Sequence, residues 1–206
     1  MAHYFDEVPD TKTDRRMIDY RVDGTNFTFV TDSSVFSRSE VDFGSSLLIE
    51  ELIRDCREDG RGSGDFLDLG CGVGVVGIVF KYKFMRFEVT GVDLNSRAVS
   101  LANENASKNG VKARFVQSDV LDKIPDSVQF DVVATNPPVR AGKATVFRFY
   151  DEAYARMKDG AAIYVVLQRK QGAPSTEKKL NELFGNCETL AIKGGYRVMK
   201  AVKRGE

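Results

Sequence analysis

Apolar positions along this chain follow two periods in turn. From residue 65 onward, short runs that are continuously apolar or alternate with polar residues are separated by stretches whose apolar residues recur every third or fourth position. The first kind predicts strands over 65–69, 87–92, 113–117, 130–135, 161–167, 187–193 and 196–203. The second predicts helices over about 74–84, 96–109, 144–157 and 175–184, with Gly110 stopping the second of them. A run such as Ile163-Tyr164-Val165-Val166-Leu167 has no polar face, so both its sides must be covered, as they are when strands and helices alternate around a mostly parallel sheet. The final two strands are joined only around Gly194-Gly195 and must run antiparallel. Ahead of all this, residues 17–22 and 26–31 flank a turn containing Asp23-Gly24 and predict an amino-terminal hairpin. Leu47, Leu48, Leu52, Ile53 and Cys56 then give one face of a helix, which Gly60-Arg61-Gly62-Ser63-Gly64 ends. One domain is expected over 1–206, with the hairpin and a site-facing loop over 1–44 and an α/β core over 45–206.

Composition narrows the setting. Cys56, Cys71 and Cys187 lie far apart with no Cys-x-x-Cys pairing, which argues against a disulfide framework and a zinc site; no metal is expected. No apolar stretch approaches the roughly 18 residues of a membrane span, and Met1-Ala2-His3-Tyr4-Phe5-Asp6-Glu7 lacks a basic-then-apolar signal pattern. The expected compartment is therefore reducing and cytoplasmic, without membrane attachment. A net charge of zero hides an asymmetry: residues 1–68 carry 8 Lys/Arg and 16 Asp/Glu, whereas residues 168–206 carry 9 and 4. The basic carboxy-terminal third fits a polyanionic partner and equally fits a solvated face.

The candidate chemistry falls on the carboxyl ends of the predicted strands, where ligands bind in such sheets. Asp68-Leu69-Gly70-Cys71-Gly72-Val73-Gly74 leaves the strand through three glycines, which let the backbone turn tightly and approach a ligand at a helix start. Cys71 reads as a small residue filling that turn rather than a nucleophile. Asp93 lies 19 residues after Gly74, the spacing at which a carboxylate accepts both ribose hydroxyls, although it could also cap the helix beginning near Ser96. Ser118-Asp119-Val120 offers a carboxylate for an adenine amino group, with Val120 or Leu94 packing on the ring; Asp119 could instead cap the next turn. Gly72-Val73-Gly74-Val75-Val76-Gly77 also matches a dinucleotide fingerprint, but two residues too late after the strand. Asp68 would there oppose a pyrophosphate while favouring a cationic amine or sulfonium, as in S-adenosylmethionine.

Asn136-Pro137-Pro138 ends the β-branched run before it. Pro137 has no amide proton and Pro138 holds the residue before it extended, so the Asn136 amide and nearby carbonyls are stiff acceptors for a planar NH2 group. The plain alternative is a rigid loop closing a strand. Arg140, Lys143 and Arg148 add positive charge just beyond it.

Asp68-x-Gly-x-Gly-x-Gly74, Asp93 and Asn136-Pro137-Pro138, in that order, resemble the class I S-adenosylmethionine-dependent methyltransferases. The wider pattern is similar to the small methyltransferase domain of RsmC-like ribosomal RNA guanine-N2 methyltransferases. It runs from His3-Tyr4-Phe5-x-Glu7-x-Pro9 through Phe36-Ser37 and Asp42-x-Gly44 to Asn136-Pro-Pro-Val-Arg-Ala-Gly-Lys143. The resemblance implies a Rossmann-like, seven-stranded sheet with an antiparallel last strand. It also implies a cofactor surrounded by Phe36, Gly44, Asp68, Gly70, Cys71, Gly72, Gly74, Asp93, Leu94, Asp119, Val120 and Asn136. Asn136, Pro137 and Pro138 would carry transfer of the methyl group to an exocyclic amine of a base, with Val139, Arg140 and Lys143 meeting the RNA. Related Asn-Pro-Pro enzymes act on adenine or on the side-chain amide of protein glutamine, so those acceptors stay open. The family often places an aromatic residue after Asn-Pro-Pro; Val139 stands there, so either another ring such as Phe36, Phe43 or Phe147 replaces it or the target is not a flipped base. A second, degenerate copy of the domain, common in those enzymes, has no counterpart in these residues. A nicotinamide-dependent oxidoreductase and a non-catalytic RNA-binding module are the rival readings from other classes.

Overall fold

The computed structural model describes residues 13–33, 35 and 40–205. It begins with strands β1 (Arg16–Val22) and β2 (Thr25–Thr31), paired antiparallel around Asp23 and Gly24, both at positive φ (48° and 74°) as a two-residue hairpin turn requires. Helix α1 (Phe43–Glu58) follows, and then the alternation expected from the apolar pattern: β3 (Gly64–Leu69), α2 (Val75–Lys83), β4 (Phe87–Asp93), α3 (Ser96–Lys108), β5 (Arg114–Gln117), β6 (Phe130–Thr135), α4 (Lys143–Ala155), β7 (Met157–Gln168), α5 (Ala173–Phe184), β8 (Glu188–Lys193) and β9 (Tyr196–Val202).

β3 to β9 form one sheet in the order β5-β4-β3-β6-β7-β9-β8. β9 is the strand that runs against the others, inserted between β7 and β8. Successive side chains of each strand enter opposite layers: Phe66, Val132, Tyr164 and Val198 pack with α1, α2 and α3, while Leu67, Val133, Ile163 and Met199 pack with α4 and α5. Asp68 shares the face of Phe66, which brings its carboxylate to α2.

The hairpin is fastened to α3 by two asparagines that imitate a neighbouring strand. Asn105, fully buried, accepts from the Val30 amide at 2.7 Å and donates to the Val30 and Val73 carbonyls. Asn109 does the same for Thr28. Ile18 and Val35 are thereby set on the wall of the cleft described below.

The expected boundaries hold within a residue or two except at one junction. α4 ends at Ala155, and β7 begins at Met157, four residues before its expected start at 161. Lys158-Asp159-Gly160 reads as a turn, yet a bulge between Phe130 and Val132 absorbs these residues into the strand, and Lys158 Nζ is held by Asp65 and Asp131 at 2.9 and 2.8 Å. Among the described residues no helix is long and apolar enough to cross a membrane.

Candidate functional site

β3 leaves the sheet through Gly70, Gly72 and Gly74, at φ of 77°, 53° and 85°, conformations a side chain would strain. The Gly70 and Cys71 amides both donate to the Val92 carbonyl at 2.9 Å, folding the turn back over β4. The Asp93 carboxylate closes it: Oδ2 accepts from the Gly72 amide at 2.8 Å and Oδ1 from the Asn95 amide at 2.9 Å. Asn95, not Asp93, caps α3, accepting from the Ala98 amide. Asp93 is thus positioned at the end of β4 by backbone donors.

Asp68 is buried, and its Oδ2 takes the Gly77 amide at 2.8 Å. A Cβ at position 77 would stand 3.1 Å from that oxygen, so the third glycine of the apparent dinucleotide fingerprint makes room for Asp68. One donor of the first turn of α2 is satisfied by an internal carboxylate, where a pyrophosphate would need it. Burial pushes the Asp68 carboxyl up to about 7, against the lowering effect of the Gly77 hydrogen bond and with some help from Asp93. The Cys71 thiol is driven well above its usual value by burial, then by Asp93 and Asp68, which makes it packing and not a nucleophile.

On the next strand, Thr135 Oγ1 donates to the Leu69 carbonyl at 2.7 Å, tying the end of β6 to the glycine turn. Asn136 Nδ2 donates to Asp42 Oδ1 at 3.3 Å and Ser45 Oγ at 3.1 Å. Asp42 is the N-cap of α1, its Oδ1 also accepting from the Ser45 amide at 3.0 Å. A carboxylate offers only acceptors, so the nitrogen of the Asn136 amide must face it and Oδ1 is turned away as an acceptor. Pro138 (φ −75°, ψ 75°) forms an inverse γ-turn in which the Val139 amide donates to the Pro137 carbonyl at 2.8 Å. That carbonyl is fixed in direction and keeps one lone pair.

Both halves open into one cleft of about 1310 Å3, lined among others by Asp68, Gly70, Cys71, Gly72, Asp93, Leu94, Asp119, Val120, Asn136, Pro137, Pro138, Val139 and Arg140. That exceeds what one drug-sized ligand needs, leaving room for two. Gly44, Gly74 and Lys143 do not line it. Gly44 lies under Tyr196, Gly74 is wedged among Ala102, Phe115 and Ile78, and Lys143 Nζ stands 5.0 Å over the Phe147 ring beside an adjoining cavity of about 240 Å3. Phe36 lies outside the described residues.

Two expectations at the rim change. The Asp119 carboxylate does not cap the following turn but pairs with Arg148 at 2.8 Å, and Arg148 also binds Asp122 and Glu152. Arg148 is therefore committed to an acidic cluster that orders this rim, and is not a free contact for an arriving substrate. Val120 has φ 49°, a strained conformation for a β-branched residue, which turns it into the cleft wall. Sequence reasoning did not identify Asp42, Ser45 and Tyr196 as site residues. The three-residue spacing of Asp42 and Ser45 could have signalled a helix cap, but the link from Asp42 to Asn136 spans 94 positions.

The pocket fits S-adenosylmethionine by its donor set: a glycine turn with little side chain in the way, a positioned carboxylate at the end of β4, and a buried Asp68 whose charge a cation would favour. Similarities to known proteins bear on the same point. A profile of the methyltransferase small domain matches residues 26–200. The Bacillus subtilis protein YbxB, described as uncharacterized, is 39% identical over 202 residues, 98% of each chain. Ribosomal RNA large subunit methyltransferase G of Shewanella amazonensis is 32% identical over 178 residues, 83% of this chain and 44% of that protein. The T. thermophilus 16S rRNA N2 methyltransferase RsmC, solved in complex with AdoMet and guanosine, matches with TM-score 0.84 at 30% identity, covering 92% of this chain and 51% of that one. This chain spans about half the length of those two ribosomal RNA methyltransferases. It belongs to the methyltransferase small domain family, whose methyl donor is S-adenosylmethionine.

Proposed function

We propose that this chain, acting as one catalytic unit over 1–206, methylates an exocyclic amino group of a nucleobase, the guanine N2 of ribosomal RNA. The observation that carries this reading is the clamp on Asn136: both of its Nδ2 contacts are to the amino end of α1, which leaves Oδ1 as the acceptor in a cleft that Pro137 also lines. Such an amine is a poor nucleophile because its lone pair is delocalised into the ring. Two fixed acceptors gripping its N–H bonds localise that pair and hold the nitrogen in line for attack. The cofactor supplies a methyl group on a sulfonium, so the leaving group is already activated and the protein contributes mainly alignment and electrostatics. The proton leaves the nitrogen afterwards, with no strong base required.

On the donor side, Asp93 would take the ribose hydroxyls, Gly70, Cys71 and Gly72 the amino-acid portion, and Leu94 and Val120 the faces of the adenine. Arg140, exposed on the cleft rim, would meet the RNA backbone. Support for ribosomal RNA comes from relatives whose names specify it, at 30% and 32% identity.

The test is incubation with methyl-labelled cofactor and, in parallel, total RNA, ribosomal subunits and protein extract, followed by digestion to nucleosides. Label in N2-methylguanosine is the expected result. Label in N6-methyladenosine or in protein would reassign the acceptor.

A further inference from the structure

The sheet order separates the two ligands. The carboxylates and glycines of the donor site stand at the ends of β3, β4 and β5, all on one side of β6. Asn136 follows β6, so the acceptor must approach over β7 and β9. Because β9 is reversed, its first residue lies on the edge where the parallel strands end, and Tyr196 pairs with Gln168 at the end of β7.

Two rings line the cleft among the described residues. Phe149 is buried against Gly70 on the donor side, and Tyr196 is on the acceptor side, half-buried. Val139, directly after the prolines, presents no ring.

Tyr196 is placed by two reciprocal glycine contacts. A Cβ on Gly44 would come within 2.7 Å of Tyr196 Cε1, and one on Gly194 within 2.8 Å of Phe43 Cε1, so the turn between β8 and β9 and the start of α1 interlock through bare backbone. The Phe43 and Tyr196 rings meet at 5.6 Å between centroids, tilted 47°. Gly44 lies between Asp42 and Ser45, the two residues that hold Asn136. One turn of helix therefore carries the amide clamp and backs an aromatic ring facing the same cleft.

Resting on the nucleobase reading above, we propose that Tyr196, backed by Phe43, is the surface on which the target base lies while Asn136 grips its amino group. The ring supplies the stacking that Val139 does not. A base stacked on a protein ring survives replacement of tyrosine by phenylalanine, since the π-face and not the hydroxyl carries the contact.

The experiment measures initial rates with total ribosomal RNA as acceptor, S-adenosylhomocysteine affinity by calorimetry and the thermal midpoint. These are read for the wild type, Tyr196→Phe and Tyr196→Ala. Tyr196→Ala should raise KM for RNA by roughly 5- to 150-fold with kcat and S-adenosylhomocysteine affinity retained, and Tyr196→Phe should restore KM. An unchanged KM, failure of phenylalanine to restore it, or a parallel loss of cofactor-product affinity would overturn the assignment in favour of packing. A second measurement does not depend on transfer. With tyrosine rings labelled by 13C and S-adenosylhomocysteine present, the resonance missing from Tyr196→Phe should shift upfield on adding guanosine monophosphate. No shift would overturn it. Full transfer by Asn136→Ala would instead sink the amine-clamp reading and leave this ring-current result standing.

Discussion

Helix α1 meets the sheet through a polar cluster at each end, and the two are finished differently. At its carboxyl end, Lys200 Nζ lies 2.7 Å from Asp55 and 2.8 Å from Asp59, while the Tyr164 hydroxyl donates to Asp55 at 2.6 Å. Burial opposes the lysine charge, but the hydrogen bonds to the two carboxylates outweigh it and raise its pKa. Cation, carboxylates and hydroxyl satisfy one another. At its amino end, Asp42 and Ser45 use their acceptors on the Asn136 amide nitrogen, and among the described residues the Asn136 oxygen is left unspent in the cleft. A closed network anchors the helix; the open one, built from the same kinds of groups, keeps capacity for a ligand. The nearby Asp68 makes the same point, since a carboxyl pushed up to about 7 by burial has not been given the cation that Asp55 has.

The sharpest way to break this contrast is at the unspent oxygen. Asn136→Ala should lower kcat by at least about 100-fold, the scale of losing one positioned polar group at a reacting centre. S-adenosylhomocysteine affinity should fall little, and calorimetry beside a single-turnover assay reads both. At the closed end, Lys200→Met leaves the buried Asp55 carboxylate without its cation and should cost about 3–5 kcal/mol of stability in urea unfolding. Rate per folded molecule should not change. A large loss of kcat in that variant would mean that the two ends are not separate devices.

Asp68 sharpens the comparison through pH. Its folded-state pKa of about 7 lies above the ordinary 3.8, so the folded chain keeps a proton that the unfolded chain releases. The stability this gives is fully present below about pH 4 and is lost as pH rises through 7. Between pH 5 and 8 the wild type should lose about 2–3 kcal/mol relative to Asp68→Asn, read as diverging urea midpoints. Parallel midpoints would show that Asp68 is ionised throughout.

How legible each region was follows from the range of its contacts. The strands were visible because Leu67, Val133 and Ile163 on one face and Phe66, Val132 and Tyr164 on the other leave no polar side to misread. The glycine turn and Asp93 were visible because their residues converge through one strand–turn–helix unit and its neighbour. The reach of Asn136 to Asp42, of Asp119 to Arg148 and of Tyr196 to Gly44 depends on how α1, α4 and the β8–β9 turn pack on the sheet. No local period reports such distances. The early start of β7 was hidden for the opposite reason, because Gly160 looks like a turn and the bulge that accommodates it belongs to the pairing with β6.

The smallest expected effect asks whether the amino end of α1 orients Asn136 or merely touches it. Ser45→Ala removes the Oγ that accepts from Asn136 at 3.1 Å, while Asp42 keeps its contact and the Ser45 amide still completes the cap. A hydrogen bond of this kind is worth about 0.5–1.5 kcal/mol, so kcat should fall roughly 2- to 12-fold with the thermal midpoint nearly unmoved. Asp42→Ala removes the cap as well and should add about 1 kcal/mol of instability to a similar or larger loss of rate. If Ser45→Ala left kcat intact while Asp42→Ala lowered it only in step with stability, Asn136 would owe its orientation to Thr135 and the proline turn. The open cluster would then be a helix cap that happens to stand beside the site.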